Sequence, residues 1–127
     1  FMSLSTAVER DINLPLHRSG EGPGVGPLAE LPIQWLLDDF PFFGVVPNRG
    51  MYGTTPPSVA YDAWREELEA LHAEAATGTC FVLTMHPQCI GRASRVAMLR
   101  RLVAFARGLD GVEFLRCHEL AERVVAS

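Results

Sequence analysis

Apolar and polar positions along the chain form three short apolar runs, each followed by a stretch with helical periodicity. The runs at 28–37 (LAELPIQWLL), 80–85 (CFVLTM) and 112–115 predict buried strands, and Pro32 marks an end or an edge of the first. Strands that alternate with helices are joined by right-handed crossovers, so the order predicts an α/β layer or barrel with parallel strands.

The stretches between these runs carry apolar residues three and four positions apart. After Ser58, a predicted cap, the stripe consists of Ala60, Trp64, Leu68, Leu71 and Ala75. After Ser94, also a predicted cap, it consists of Val96, Leu99, Val103 and Ala106. A last helix is predicted from His118 to Val125. We therefore expect Trp64 and Leu68 to be buried against the sheet.

Length and composition indicate one domain. The chain has 127 residues, of which 48% are apolar and 20% charged, which is typical of a folded globular domain. Residues 1–27 are predicted to be irregular, because Gly and Pro dominate 19–27, and residues 28–127 are predicted to form the α/β core. Another irregular segment, 42–57, is of the kind that forms binding loops.

Charge and hydropathy exclude some partners. A net charge of −4, with the arginines spread along one helix, argues against nucleic acid. No apolar run approaches the roughly 20 residues that cross a bilayer, so no membrane partner is predicted. No secretory signal is visible at 1–15, and three cysteines without repeated spacing favour reduced thiols. These features predict a cytoplasmic protein.

Candidate chemistry lies where the predicted strands end, since parallel strands present working groups at their C-terminal ends. His86 follows the strand at 80–85, and Asp38 and Asp39 follow the strand at 28–37. A histidine oriented by a carboxylate suits a general acid that protonates a leaving amine. The alternatives are a hydrogen-bonded structural histidine and a cap or turn at the aspartates. We predict that His86 and one of the two carboxylates lie within hydrogen-bonding distance.

Several segments resemble one family in order and spacing. They are FVLTMHP at 81–87 continued by Gly91-Arg92 and Arg95, the segment LAELPIQWLLDDFPFF, and the tail VEFLRCHELAERV. Together they resemble the polysaccharide deacetylase (NodB-like) superfamily, in its peptidoglycan deacetylase-like and allantoinase-like branch. The resemblance runs from residue 28 onward and implies the C-terminal part of a distorted (β/α) barrel.

The resemblance implies roles for individual residues. His86 would be the general acid, Asp39 the carboxylate that orients it, and Leu83 part of an acetyl pocket. Arg92 and Arg95 would brace the loop around the pocket, although surface salt bridges are the alternative for both. Aromatic residues near the strand end could line a substrate cleft or belong to the core; they are Trp35, Phe40 and Phe42.

The chain also departs from the family. Members bind a divalent metal such as zinc through an early Asp-Asp pair and a His-x-x-x-His pair, and neither is found at the matching place in this sequence. Without the metal the hydrolytic water is not activated, so we predict no metal site and no activity for this segment alone. A zinc site built on His86 and Cys89 is an alternative, but it lacks a second suitably spaced pair.

Two functions follow from these expectations. One is the C-terminal portion of a metal-dependent hydrolase that acts on non-peptide C–N bonds in carbohydrates or small amides. The other is a non-catalytic binding or interaction module that retains half of the fold. Loss of the first barrel strands would leave sheet edges and an apolar face open, so we expect a homodimer or a complementary N-terminal half as partner.

Overall fold

A computed structural model describes residue 31 and residues 33–74 and 79–126. The irregular segment predicted for residues 1–27, positions 28–30 and 32 of the first predicted strand, and Ala75 lie outside the described residues. The described helices and strands, in chain order, are α1 (Phe40–Phe43), β1 (Val45–Val46), β2 (Met51–Tyr52), α2 (Pro57–Ala73), α3 (Pro87–Ile90), α4 (Ala93–Arg107) and α5 (Cys117–Ala126). Two 3-10 helices, Trp35–Leu37 and Pro47–Arg49, complete them.

The described fold contains both helices and strands, which agrees with the α/β prediction at that general level. Its two-stranded sheet is an antiparallel hairpin, in which Val45 pairs with Tyr52 and Val46 with Met51. Gly50 lies between the strands at a φ of 71°, a left-handed conformation that glycine adopts without a side-chain clash. A parallel pairing occurs as an isolated bridge between Asp38 and Thr84.

The predicted strand at 28–37 is wrong in its described part. Trp35–Leu37 is a 3-10 helix, closed by the Leu37 N–H donating to the Gln34 carbonyl at 3.0 Å. Leu37 is buried, whereas Trp35 is 81% exposed. The apolar run therefore does not lie within a sheet that covers both of its faces, which is what a buried parallel strand requires.

The other two predicted strands are reduced to extended segments. Phe81, Val82 and Leu83 are buried as predicted, but this segment pairs through single bridges and not through a continuous ladder. In the segment at 112–115, Glu113 takes part in a bridge, and no strand is formed. Burial was predicted correctly for Leu37 and for 81–83, but not for Trp35 or Phe114, which are exposed. Strand formation also needs a neighbouring strand in register.

Helix α2 confirms the predicted stripe as far as Leu71, but the stripe packs mainly on α4 and not on a sheet as predicted. Trp64 and Leu68 are completely buried, and the Trp64 Nε1–H donates to the Leu36 carbonyl at 2.8 Å. The prediction that Ser58 caps this helix is wrong, because the helix begins one residue earlier, at Pro57. Proline suits the first helical position, since its φ is already helical and no N–H is needed there.

Helix α4 packs on α2 through a different stripe from the predicted one. Met98, Leu102 and Ala106 are buried, so of the predicted stripe Ala106 is fully correct, while Leu99 and Val103 are partly buried against the core. Val96, Leu99 and Val103 also line an open pocket of about 560 Å³ beside Arg100 and Arg107. The Ser94 cap is also wrong, because the helix begins at Ala93 and Arg92 precedes it.

The core lies between α2, α4 and the extended segment at 81–83. It contains Trp64, Phe43 and Leu83, with the Phe43 and Trp64 rings in edge contact at 6.4 Å between centroids. Arg101 covers one side of it, with its guanidinium 4.4 Å from the centre of the Tyr61 ring. No helix in the described ranges has the length and the apolar character needed to cross a membrane.

Candidate functional site

The parallel bridge brings two distant turns together. The Thr84 N–H donates to the Leu37 carbonyl at 2.8 Å, and the Asp39 N–H donates to the Thr84 carbonyl at 3.1 Å. Both chain segments continue past this bridge in the same direction, so the residues that follow them emerge side by side. Asp39 and His86, which are 47 positions apart in sequence, become neighbours in this way.

His86 and Asp39 form a two-point contact. His86 Nδ1 lies 2.7 Å from Asp39 Oδ1, and the His86 backbone N–H donates to Asp39 Oδ2 at 3.0 Å. The Asp39 side chain is fully buried, whereas the His86 side chain is 36% exposed. The predicted hydrogen-bonding distance between His86 and an aspartate is thereby confirmed.

This contact fixes which ring nitrogen is available. An ionised carboxylate only accepts hydrogen bonds, so the proton between the two side chains belongs to His86 Nδ1. Nε2 makes no hydrogen bond to a described residue, and the partial exposure of the ring leaves room for a ligand. Such an arrangement orients an imidazole so that Nε2 can exchange a proton with a bound molecule.

Asp38 has different hydrogen-bond partners from Asp39. Its Oδ1 accepts a hydrogen bond from the Phe40 backbone N–H at 2.7 Å and lies 3.8 Å from His86 Nδ1. The first of these contacts closes the turn into α1, which is the cap or turn alternative that the sequence left open for this residue. Asp39 is therefore the direct partner of His86.

The predicted substrate-lining residues do not gather around His86 as a group. Phe40 does lie beside it, with ring centroids 5.7 Å apart in an edge contact. The Phe42 ring packs on the Trp64 ring, with 5.7 Å between centroids, so Phe42 belongs to the core, as the sequence allowed. Leu83 is 1% exposed within the core, so its side chain offers almost no surface to a substrate, and Trp35 is one of the most exposed apolar residues.

The two arginines predicted to brace this region differ sharply. The Arg95 guanidinium donates to the Cys89 carbonyl and to the Gly53 carbonyl, each at 2.6 Å. Arg92 is exposed, and its side chain makes no hydrogen bond or ion pair with a described residue. No sequence signal marks Gly53 as a partner, because the contact is to a backbone carbonyl 42 positions away.

One group of side chains in the described residues places three potential metal ligands within 4.8 Å of one another: Asp38, Asp39 and His86. Asp39 Oδ1 already pairs with His86 Nδ1, and Asp38 Oδ1 accepts a hydrogen bond from the Phe40 N–H, so a metal held through Nδ1 would have to replace the Nδ1 proton. The group also differs from the Asp-Asp and His-x-x-x-His ligand set that the resemblance implies. The residues present do not fit that metal site.

The described thiols do not extend the site. Cys89 is buried, and burial is the main cause that raises its pKa, followed by the negative charge of Asp39. Burial likewise raises the pKa of Cys80 to about 11, with a smaller contribution from Cys117. A thiolate at Cys80 is therefore scarce near neutral pH.

We expect iodoacetamide to alkylate Cys80 roughly 100-fold more slowly at pH 8 in the folded chain than in the urea-unfolded chain, because only the thiolate reacts. Timed quenching followed by peptide mass spectrometry measures the rate at each cysteine. The unfolded chain is the control, since its thiol regains an ordinary pKa. Equal rates at Cys80 in the two states would contradict its burial.

A scan against protein-family models finds no match to this chain, and a search of curated proteins also finds none.

Proposed function

We propose that this chain is the C-terminal part of a metal-dependent hydrolase of the polysaccharide deacetylase (NodB-like) superfamily, with a distorted (β/α) barrel as the complete fold. The observation that carries the proposal is the hydrogen bond between His86 and the buried Asp39 at the end of a parallel bridge. The motif resemblance assigns the same two residues as general acid and orienting carboxylate.

The geometry suits hydrolysis of a non-peptide C–N bond. In that reaction the carbonyl carbon gains the hydroxyl group of a water molecule, whose other proton is released to solvent. The C–N bond breaks, and the departing nitrogen takes a proton. His86 in its imidazolium form would give that proton from Nε2 and be left neutral. Asp39 holds the ring in place and stabilises the imidazolium through Nδ1–H, as carboxylates do for catalytic histidines.

The substrate class proposed is an N-acetyl amino sugar or a small cyclic amide. In the family a divalent metal such as zinc activates the attacking water, and its ligands come from an early Asp-Asp pair and a His-x-x-x-His pair. We therefore expect the segment to be inactive by itself. The proposed compartment is the cytoplasm, on the basis of the cysteine pattern.

Reconstitution tests the proposal. The chain is mixed with a segment that supplies the early Asp-Asp and His-x-x-x-His motifs, zinc is added, and the release of acetate from N-acetylglucosamine oligomers and the opening of cyclic ureides are measured. We expect turnover with both segments and metal, and none with either segment alone. If the two segments associate and bind zinc but show no turnover, the hydrolase proposal fails.

The alternative is a non-catalytic binding or interaction module. The exposure of large apolar side chains favours it, since Ile33 is 69% exposed and Trp35 81% exposed. Apolar surface of this kind is often covered by a partner. Partner binding by a reconstituted but inactive chain would support this reading.

We expect the isolated chain to form a homodimer, because exposed apolar side chains and unpaired extended segments favour association between copies. Light scattering across a dilution series measures the mass of the particle. Trp35→Ser is the matched variant, since it removes an exposed ring that makes no described core contact, and it should shift the chain towards the monomer. The mass of one chain at every concentration would contradict the expectation, and a complementary N-terminal half would remain as the proposed partner.

A further inference from the structure

Arg95 contacts three separate parts of the chain around the His86 site. Its Nη1–H donates to the Cys89 carbonyl in α3, and its Nη2–H donates to the Gly53 carbonyl just after β2. Its guanidinium also lies 4.3 Å from the centre of the Phe43 ring in α1. One side chain thus spans α1, α3 and the end of the hairpin.

Two of those parts are the short helices that directly follow Asp39 and His86. The Phe43 N–H donates to the Asp39 carbonyl at 2.9 Å, so the position of α1 sets the position of Asp39. In the same way the Cys89 N–H donates to the His86 carbonyl at 2.8 Å at the start of α3. Arg95 therefore holds the far ends of the two turns that carry the pair.

We infer that Arg95 is the positioning residue for the His86–Asp39 pair, an inference that rests on the proposed function for its catalytic meaning. It acts through Phe43 and Cys89, and no contact between Arg95 and the His86 ring is needed. Arg92, to which the resemblance gives the same bracing role as to Arg95, is exposed, and its side chain makes no hydrogen bond to a described residue of either helix.

The chemistry of the contact requires arginine. A guanidinium is planar, so it can donate to two carbonyls from its edge while one face stacks on a ring. A lysine ammonium is a compact charge on a flexible stem and would lose the stacked, two-point geometry. Arg95→Lys therefore keeps the positive charge but removes the paired guanidinium donors. The variant thus distinguishes a positioning role from an effect of charge alone.

The test compares Arg95→Gln with Arg101→Gln by NMR. Arg101 is a matched control, since it is on the same helix and stacks on Tyr61 but contacts neither short helix. We expect Arg95→Gln to raise the exchange rate of the His86 amide by about tenfold relative to that of the Leu68 amide, because the bond to Asp39 opens locally. We also expect ¹⁵N shifts to report a mixture of ring tautomers at His86. Arg101→Gln should leave both readouts as in the unchanged chain.

Arg95→Lys keeps the experiment decisive if Arg95→Gln does not fold, and it should change His86 in the same direction. Equal His86 exchange, relative to Leu68, in the Arg95 and Arg101 variants would overturn the inference, since both would then act on stability alone. The NMR readouts need no turnover. If the reconstituted chain is inactive but Arg95→Gln still perturbs His86, the hydrolase proposal fails and the positioning role stands. If the reconstituted chain is active, and Arg95→Gln changes neither turnover nor His86, the positioning role fails and the hydrolase proposal stands.

Discussion

His86→Ala is expected to lower the turnover of the reconstituted enzyme by about 10²- to 10⁴-fold while the chain stays folded, because a positioned general acid contributes a factor of that size. The loss should appear in kcat, since the proton is needed as the C–N bond breaks and not when the substrate binds. Steady-state kinetics with the two segments and zinc measure it, and circular dichroism verifies the fold.

His118→Ala is the control, because His118 is exposed on α5 and makes no hydrogen bond to a described residue. It should leave turnover unchanged. Asp39→Asn should follow His86→Ala in direction, since an amide cannot stabilise the imidazolium as a carboxylate does. Turnover that survives His86→Ala would show that the histidine is structural, which is the alternative that the sequence leaves open.

The contact between His86 and an aspartate was predictable from the sequence, and the choice of aspartate was not. The rule that working groups follow parallel strands selected His86 and the two aspartates, although only a single bridge of the predicted parallel sheet is described. Sequence cannot separate Asp38 from Asp39, since both are next to each other and have the same chemistry. Their hydrogen bonds separate them, because Asp39 pairs with His86 Nδ1 while Asp38 closes the turn through Phe40.

The helices and strands differ in how far the sequence determines them. A helix forms its hydrogen bonds within itself, so the stripe of α2 could be predicted from spacing alone. A strand depends on a partner elsewhere in the chain. The apolar run that ends at Leu37 pairs, in its described part, with Thr84 alone, and this single contact does not make it a strand. For α4 two apolar stripes lie side by side, and the choice of Met98 over Leu99 for burial depends on where α2 packs.

The second large effect expected is on stability. Leu68→Ala should lower the free energy of unfolding by about 2–5 kcal/mol, because Leu68 is completely buried in α2 and its removal leaves a cavity in the core. Trp64, one turn before it on the same face, is fixed through its hydrogen bond to the Leu36 carbonyl. That bond restrains the neighbouring ring, so the core cannot fully close the cavity. We therefore expect the loss in unfolding free energy to lie clearly above the lower end of this range.

Urea unfolding followed by circular dichroism measures the change, with the slope of the transition compared between variants. Val59→Ala is the matched control: Val59 is on the same helix but 49% exposed, so its truncation should alter the free energy by no more than about 0.5 kcal/mol. A loss for Leu68→Ala as small as that of Val59→Ala would mean that α2 does not bury this face. In a dimer the transition midpoint depends on protein concentration, so both variants are compared at the same one.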